Sequence, residues 1–150
     1  MAFKKSPPPQ NVPDSPEKIL LDLPRRKIPG VLLHQGEVMK TYAADAIDLP
    51  DVALQLPTGS GKTLVGLMIG EWRRRKFHER VVYLCPTRQL VNQVVEQAND
   101  QYGLNVNGFA GPVTGYNSTA KAEYQNADRL AITTYSALFN TNPFSIRHKL

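Results

Sequence analysis

The sequence predicts an α/β protein in which a parallel β-sheet is flanked by helices. Three features predict it. Arg80-Val-Val-Tyr-Leu-Cys85 and Leu130-Ala-Ile-Thr-Thr134 are short, nearly continuous apolar runs, as expected of strands buried on both faces. Between such runs stand stretches whose apolar residues recur at helical spacing. A third run, Val52 to Leu56, leads into Pro57-Thr-Gly-Ser-Gly-Lys-Thr63 and then into an amphipathic stretch, which is the strand–loop–helix order of a phosphate-binding loop. Strands alternating with helices imply parallel pairing through right-handed crossovers.

The chain divides into a proline-rich tail (1–15), a helical lead-in (16–50) and the α/β domain (51–150). Pro7-Pro-Pro9 and Pro13 make the tail flexible or polyproline-like. Ser15-Pro16-Glu17 has the form of a helix start: an N-cap serine, proline at the first helical position and an acid in the first turn. Ile19 to Leu23 is one short helix or turn, stopped by Pro24. After Pro29-Gly30 the spacing of Val31, Val38, Met39, Tyr42 and Ala46 predicts a helix over 31–46. A helix over 62–75 presents Leu64, Met68 and Trp72 on one stripe, with Val65 and Ile69 beside it. Pro86-Thr-Arg88 opens a helix to about residue 100, with Leu90, Val91, Val94 and Val95 facing inward. A strand over 103–110 is only weakly signalled. Gly111-Pro112 and Gly115 break the chain before a helix over 120–127, and a helical turn over 136–140 follows the run Leu130 to Thr134.

Composition bounds the rest. One hundred and fifty residues with 41% hydrophobic content suit a single globular domain. No apolar run approaches the ~18 residues of a membrane span. The first residues are basic without an apolar stretch behind them, which is not the form of a signal peptide. A single cysteine, Cys85, excludes an internal disulfide, suits the cytoplasm, and closes an apolar run where a small core residue belongs. The net charge of +5 is compatible with a nucleic-acid partner. It is dispersed over Arg25-Arg-Lys27, Arg73-Arg-Arg-Lys76 and Arg147-His-Lys149. The middle cluster falls at a helix C-terminus, where cations suit the dipole and a solvated face better than a nucleic-acid patch.

The loop at 57–63 carries the most chemistry. Gly59 and Gly61 let the chain turn tightly, so that the amides of Gly59, Ser60, Gly61 and Lys62 can point at one anion. The positive end of the following helix adds to that spot. Lys62 would reach β- and γ-phosphate oxygens, and the Thr63 hydroxyl would ligate Mg²⁺. The general pattern G-x-x-x-x-G-K-[ST] asks for glycine at position 56, where this chain has Leu56.

Pro57 to Thr63 instead resembles motif I of superfamily-2 DEAD/DEAH-box or type III restriction-like helicases. Leu84-Cys-Pro-Thr-Arg-Gln-Leu90 with Gln93 resembles their motif Ia, with Gln89 where glutamate is usual. Ile132-Thr-Thr-Tyr-Ser-Ala-Leu138 resembles a later segment of the same domain, and His34-Gln35 the pair that precedes the loop. The resemblance covers about residues 28–140. It implies a partial RecA-like P-loop domain that binds ATP and Mg²⁺ through Pro57, Thr58, Gly59, Ser60, Gly61, Lys62 and Thr63, with Lys62 and Thr63 catalytic. Gln35 would read the adenine edge; the plain alternative is a polar residue on a helix turn. Pro86, Thr87, Arg88, Thr133 and Thr134 would contact the nucleic-acid backbone, although Thr87 fits a helix N-cap equally well.

The family's acidic motif II, which holds Mg²⁺ and orients the attacking water, has no counterpart after an apolar strand here. The resemblance therefore implies a domain truncated before the Walker B strand, without the later strands beside the loop-bearing strand and without a second RecA-like domain. ATP binding without hydrolysis is expected, with nucleic acid and the rest of a helicase or a partner subunit as partners, and no membrane. The alternative is a non-catalytic nucleotide- or nucleic-acid-binding module that works in trans. A small P-loop kinase fits least, because motif Ia has no role in one.

Overall fold

The computed structural model describes residues 11–57, 59, 61–139 and 144. The lead-in forms a 3₁₀ segment, Pro16–Asp22, and the helix α1, Leu33–Asp45. Then follow α2 (Lys62–Phe77), β1 (Val82–Cys85), α3 (Arg88–Gln97), β2 (Val106–Phe109), α4 (Ser118–Gln125) and β3 (Leu130–Thr134). One π-helical turn, Ala98–Tyr102, extends α3, and a 3₁₀ turn, Tyr135–Leu138, follows β3.

The three strands form one parallel sheet in the order β1-β3-β2. Cys85 pairs with Thr134 and Phe109 with Thr133, so the carboxyl ends of all three strands come out together. This is the expected partial RecA-like α/β arrangement. Side-chain alternation along the strands assigns the faces. Leu130, Ile132, Val106 and Cys85 point into the main core, where they meet Leu64, Leu67, Met68 and Trp72 of α2 and Val91 and Val94 of α3. Ala131 and Phe109 point the other way, into a smaller aromatic cluster with Tyr124 of α4 and Phe144. Burying a side chain of this size contributes roughly 1.5–3 kcal/mol, and the larger cluster accordingly dominates the fold.

Five expectations meet a different outcome. Val52 to Leu56 forms no strand: residues 51–57 run as irregular chain, with Val52 and Leu54 each 41% exposed. A strand needs a neighbouring ladder, and among the described residues this run pairs with none of the three strands. Leu90 is on the outer side of α3, while Val91 and Val94 are buried as expected. Ser15 occupies an N-cap position without capping by its side chain; its hydroxyl donates to the Glu17 carboxylate instead. The tail expected to run to residue 15 is docked from Val12 onward: Val12 packs on the core, and the indole Nε1 of Trp72 donates to the Pro13 carbonyl at 2.7 Å.

The fifth is the basic cluster on α2, which is no solvated face. The Arg73 guanidinium donates twice to Glu79 at 2.8 Å, to the Tyr42 hydroxyl at 2.8 Å and to the Ile47 carbonyl at 3.2 Å. These bonds tie α2 to α1, and they hold the Arg73 pKa above its already high ordinary value, the Glu79 bond being the largest cause. Arg74 and Arg75 both pair with Glu71, whose carboxylate is buried. Among the described residues no helix is long and apolar enough to cross a membrane.

Candidate nucleotide and nucleic-acid site

Gly59 and Gly61 both take left-handed backbone conformations, φ +76° and +72°, and Gly61 is the N-cap residue of α2. The two residues after it, Lys62 and Thr63, therefore open the helix, with Lys62 exposed. The first-turn N–H groups of a helix have no intrahelical acceptor and carry the positive end of its dipole. The expected contributions of Thr58 and Ser60 lie outside the described residues. Pro57 is exposed beside the loop.

Thr63 is half-buried at the start of α2, and the ring of Tyr83 on β1 lies against Gly66 one turn further on, where a Cβ would stand 2.9 Å from it. Burial pushes the Tyr83 phenol above its ordinary pKa, so it stays neutral and able to hydrogen-bond. The close approach of Tyr83 to Gly66 brings α2 onto the sheet, and the sequence did not point to it: Tyr83 reads simply as a strand residue.

Gln35 is 4% exposed on the first turn of α1, next to the loop. Its Oε1 accepts from the Leu32 N–H at 2.8 Å, and its Nε2 donates to the Gly61 carbonyl at 3.5 Å. The same amide thus closes the start of α1 and touches the glycine turn before α2. A Cβ at Gly61 would lie 2.5 Å from that Nε2, so a larger residue there would have to displace the Gln35 amide.

Between these elements lies a cleft of about 370 Å³. Gly61, Gln35 and Leu64 form its loop side; Ile28, Pro29 and Gly30 line it, and so do Gln97, Gln101 and Tyr102 from the end of α3 and the π-helical turn. The sequence did not single out this far wall, because a π turn leaves no pattern that distinguishes it from the end of an ordinary helix.

The expected nucleic-acid residues separate into two groups. Pro86, Thr87 and Arg88 are exposed at the carboxyl end of β1, and Thr134 stands beside them at the end of β3, its hydroxyl 2.9 Å from that of Ser136. Ligands of open parallel sheets characteristically bind outside such carboxyl ends. Thr87 is the N-cap of α3, its hydroxyl accepting from the Leu90 N–H at 3.2 Å. Thr133 is not on this surface. It is fully buried on the opposite side of the strand, and its hydroxyl donates to the Phe109 carbonyl at 2.8 Å. Successive strand residues point to opposite faces, so two adjacent threonines do not line one surface. Thr133→Val, which keeps the shape and removes the hydroxyl, is expected to cost about 1–2 kcal/mol in urea unfolding and to leave nucleic-acid affinity unchanged; an affinity loss matching that of Arg88→Ala would return Thr133 to the surface.

Cys85 is buried at the end of β1, and burial pushes its thiol above the ordinary cysteine pKa, as fits a packing residue. Among the described residues no group of three or more histidine, cysteine, aspartate or glutamate side chains could hold a metal ion.

A protein-family model described as DEAD/DEAH box helicase matches residues 34–148, which begins at the residue before Gln35 and includes both glycines of the loop. Comparison with curated proteins and comparison with solved structures each gave no match.

Proposed function

The chain belongs to the DEAD/DEAH box helicase family, and from that premise we propose that it binds ATP with Mg²⁺ at the amino-terminal end of α2 and nucleic acid across the carboxyl ends of β1 and β3. Family membership supports a helicase-type, ATP-binding role. Within the family, Pro57 to Thr63 and Pro86 to Arg88 favour the superfamily-2, type III restriction-like branch.

The observation that carries the ATP reading is the left-handed Gly61 N-cap followed at once by Lys62 and Thr63. Mg²⁺, held with the help of the Thr63 hydroxyl, would neutralise phosphate charge there. The chain's own part is to present loop and helix amides to the phosphates, to place the Lys62 ammonium against them and to offer the Thr63 hydroxyl for ligation. The base end of the nucleotide would then enter the cleft beside Gln35. Pro86 to Arg88 and Thr134 would hold a sugar-phosphate backbone without reading its sequence.

We further propose that these residues bind ATP without turning it over. Each of the three strands is followed by uncharged residues, Pro86-Thr87, Ala110-Gly111 and Tyr135-Ser136. Placing a water for attack on the γ-phosphate calls for a carboxylate at such a position, and among the described residues none of the three strands is followed by one.

Titration calorimetry with ATP and Mg²⁺ tests the site. A lysine–phosphate hydrogen bond is worth roughly 1.5–3 kcal/mol, so Lys62→Ala is expected to weaken binding by about 10- to 100-fold while the thermal unfolding of the unliganded chain stays unchanged. Equal affinities in the two proteins would remove the phosphate site from α2. A steady-state ATPase rate that Lys62→Ala abolishes would overturn the proposed lack of turnover.

A further inference from the structure

Among the described residues three aromatic side chains are exposed: Phe77, Tyr135 and Phe139. Packing accounts for the first. The Phe77 ring stands edge-on to Trp72 at 5.9 Å, and the Arg73 guanidinium lies 4.9 Å above it. Tyr135 and Phe139 are 50% and 54% exposed, and neither makes a ring or cation–π contact among the described residues. Aromatic rings contribute most when they are covered. Two open rings on one turn form a patch rather than an isolated exposure.

Local structure holds both rings at one edge of the sheet. Cys85 pairs with Thr134, so Tyr135 and Pro86 leave the sheet at the same end. The turn Tyr135–Leu138 is tight: the Thr134 and Ser136 hydroxyls are 2.9 Å apart, and the Phe139 N–H donates to the Ser136 carbonyl at 3.1 Å. Ala137 anchors it, 4% exposed in the smaller cluster with Phe109 and Tyr124. A 3₁₀ turn has three residues per revolution, so an inward Ala137 sends Tyr135 and Phe139 outward on either side of it. A fixed turn thus displays both rings at the end of the sheet that carries the exposed Arg88.

We propose that Tyr135, with Phe139 as a second platform, stacks against unpaired bases of a nucleic-acid strand. The surface would then hold a strand by its bases as well as by its backbone. Every base has a π-face, and a phenol or phenyl ring covers it whatever the sequence. In a duplex the bases cover one another's faces, so the rings gain nothing from paired bases. Arg88 supplies positive charge at the same edge, and a cationic groove with aromatic platforms is how single strands are commonly held. The inference rests on the nucleic-acid surface proposed above, and it adds residues that touch the bases, which Pro86 to Arg88 and Thr134 leave unread.

Binding of labelled oligothymidylate, of an abasic deoxyribose-phosphate oligomer of equal length and of blunt duplex DNA to the full chain tests it, with Arg88→Ala as reference. For Tyr135→Ala the oligothymidylate affinity is expected to fall about tenfold, with abasic and duplex affinities within about twofold of wild type. Phe139→Ala is expected to act in the same direction, and Tyr135→Trp, which keeps a ring, to retain binding. Arg88→Ala is expected to weaken all three, because it removes a backbone contact. Both aromatic side chains are exposed, so the variants are expected to fold, and an unchanged melting temperature verifies it. Two results for Tyr135→Ala overturn the inference and leave the backbone surface standing. One is an equal loss toward oligothymidylate and the abasic oligomer; the other is no loss toward either, which would assign the rings to a protein partner. Wild-type affinities no better than those of Arg88→Ala overturn both readings.

Discussion

Replacing Glu71 by alanine is expected to destabilise the protein by about 3 kcal/mol. The carboxylate is buried on α2, only 1% of the residue being exposed. Its Oε1 accepts from the Arg74 Nε at 2.6 Å and the Arg75 Nε at 3.4 Å. Arg74 in turn donates to the Ala127 carbonyl at 3.0 Å, at a residue whose left-handed backbone, φ +58°, turns the chain between α4 and β3. One buried acid therefore holds two guanidinium groups on its own helix and, through one of them, the approach to the central strand. Removing one partner of such a group leaves the other charges without compensation, which typically costs roughly 3–5 kcal/mol. The lower end applies because the Arg74 and Arg75 side chains are 18% and 24% exposed and can turn toward water. For a chain of this size that loss corresponds to a fall of about 6–12 °C in Tm. Glu71→Gln, which keeps an acceptor and loses the charge, is expected to fall between. A Tm change below about 2 °C for Glu71→Ala would reduce the cluster to an ordinary surface pair.

The second large effect is expected at Gly61. An alanine at this position meets two independent penalties. A left-handed backbone costs a residue with a Cβ roughly 1–2 kcal/mol, and the Cβ would stand 2.5 Å from the Gln35 Nε2, displacing an amide that also accepts from the Leu32 N–H. Losing that bond adds about 1 kcal/mol. Gly61→Ala is thus expected to lower stability by about 2–3 kcal/mol, the sum of those two costs. ATP affinity is expected to fall more than tenfold, because the amides before Lys62 no longer converge on one anion. The variant Gly61→Ala/Gln35→Ala separates the two penalties: it relieves the clash and keeps the backbone strain. Stability recovered by the second substitution, with affinity still lost, is the expected outcome in paired unfolding and calorimetry experiments. An affinity equal to wild type in Gly61→Ala would sever the conformation of this turn from nucleotide binding.

The sequence by itself determined the secondary-structure alternation, the parallel sheet and the location of the glycine turn before α2. It could do so because these depend on local patterns. Continuous apolar runs mark Val82–Cys85 and Leu130–Thr134, and the glycines at 59 and 61 mark a turn that residues with side chains adopt at a cost. It also held both readings of Thr87, of which the N-cap bond is present in the fold.

Tertiary structure decided the rest, each time because the deciding partner is distant along the chain. Whether Val52 to Leu56 pairs as a strand depends on a neighbouring edge, which the run does not encode. That Thr133 is buried while Thr134 is at the rim follows from which face of β3 meets Phe109, a contact 24 residues away in sequence. The arginines of α2 look like a solvated cluster until Tyr42, Ile47 and Ala127 supply acceptors for them. Gln35 was legible as a polar residue before a phosphate loop, yet its engagement with Gly61 spans 26 positions. The glutamine wall of the cleft arises only where a π turn and the segment at 25–30 are brought together. Local chemistry marks the glycine turn before α2; the packing of distant segments sets what surrounds it.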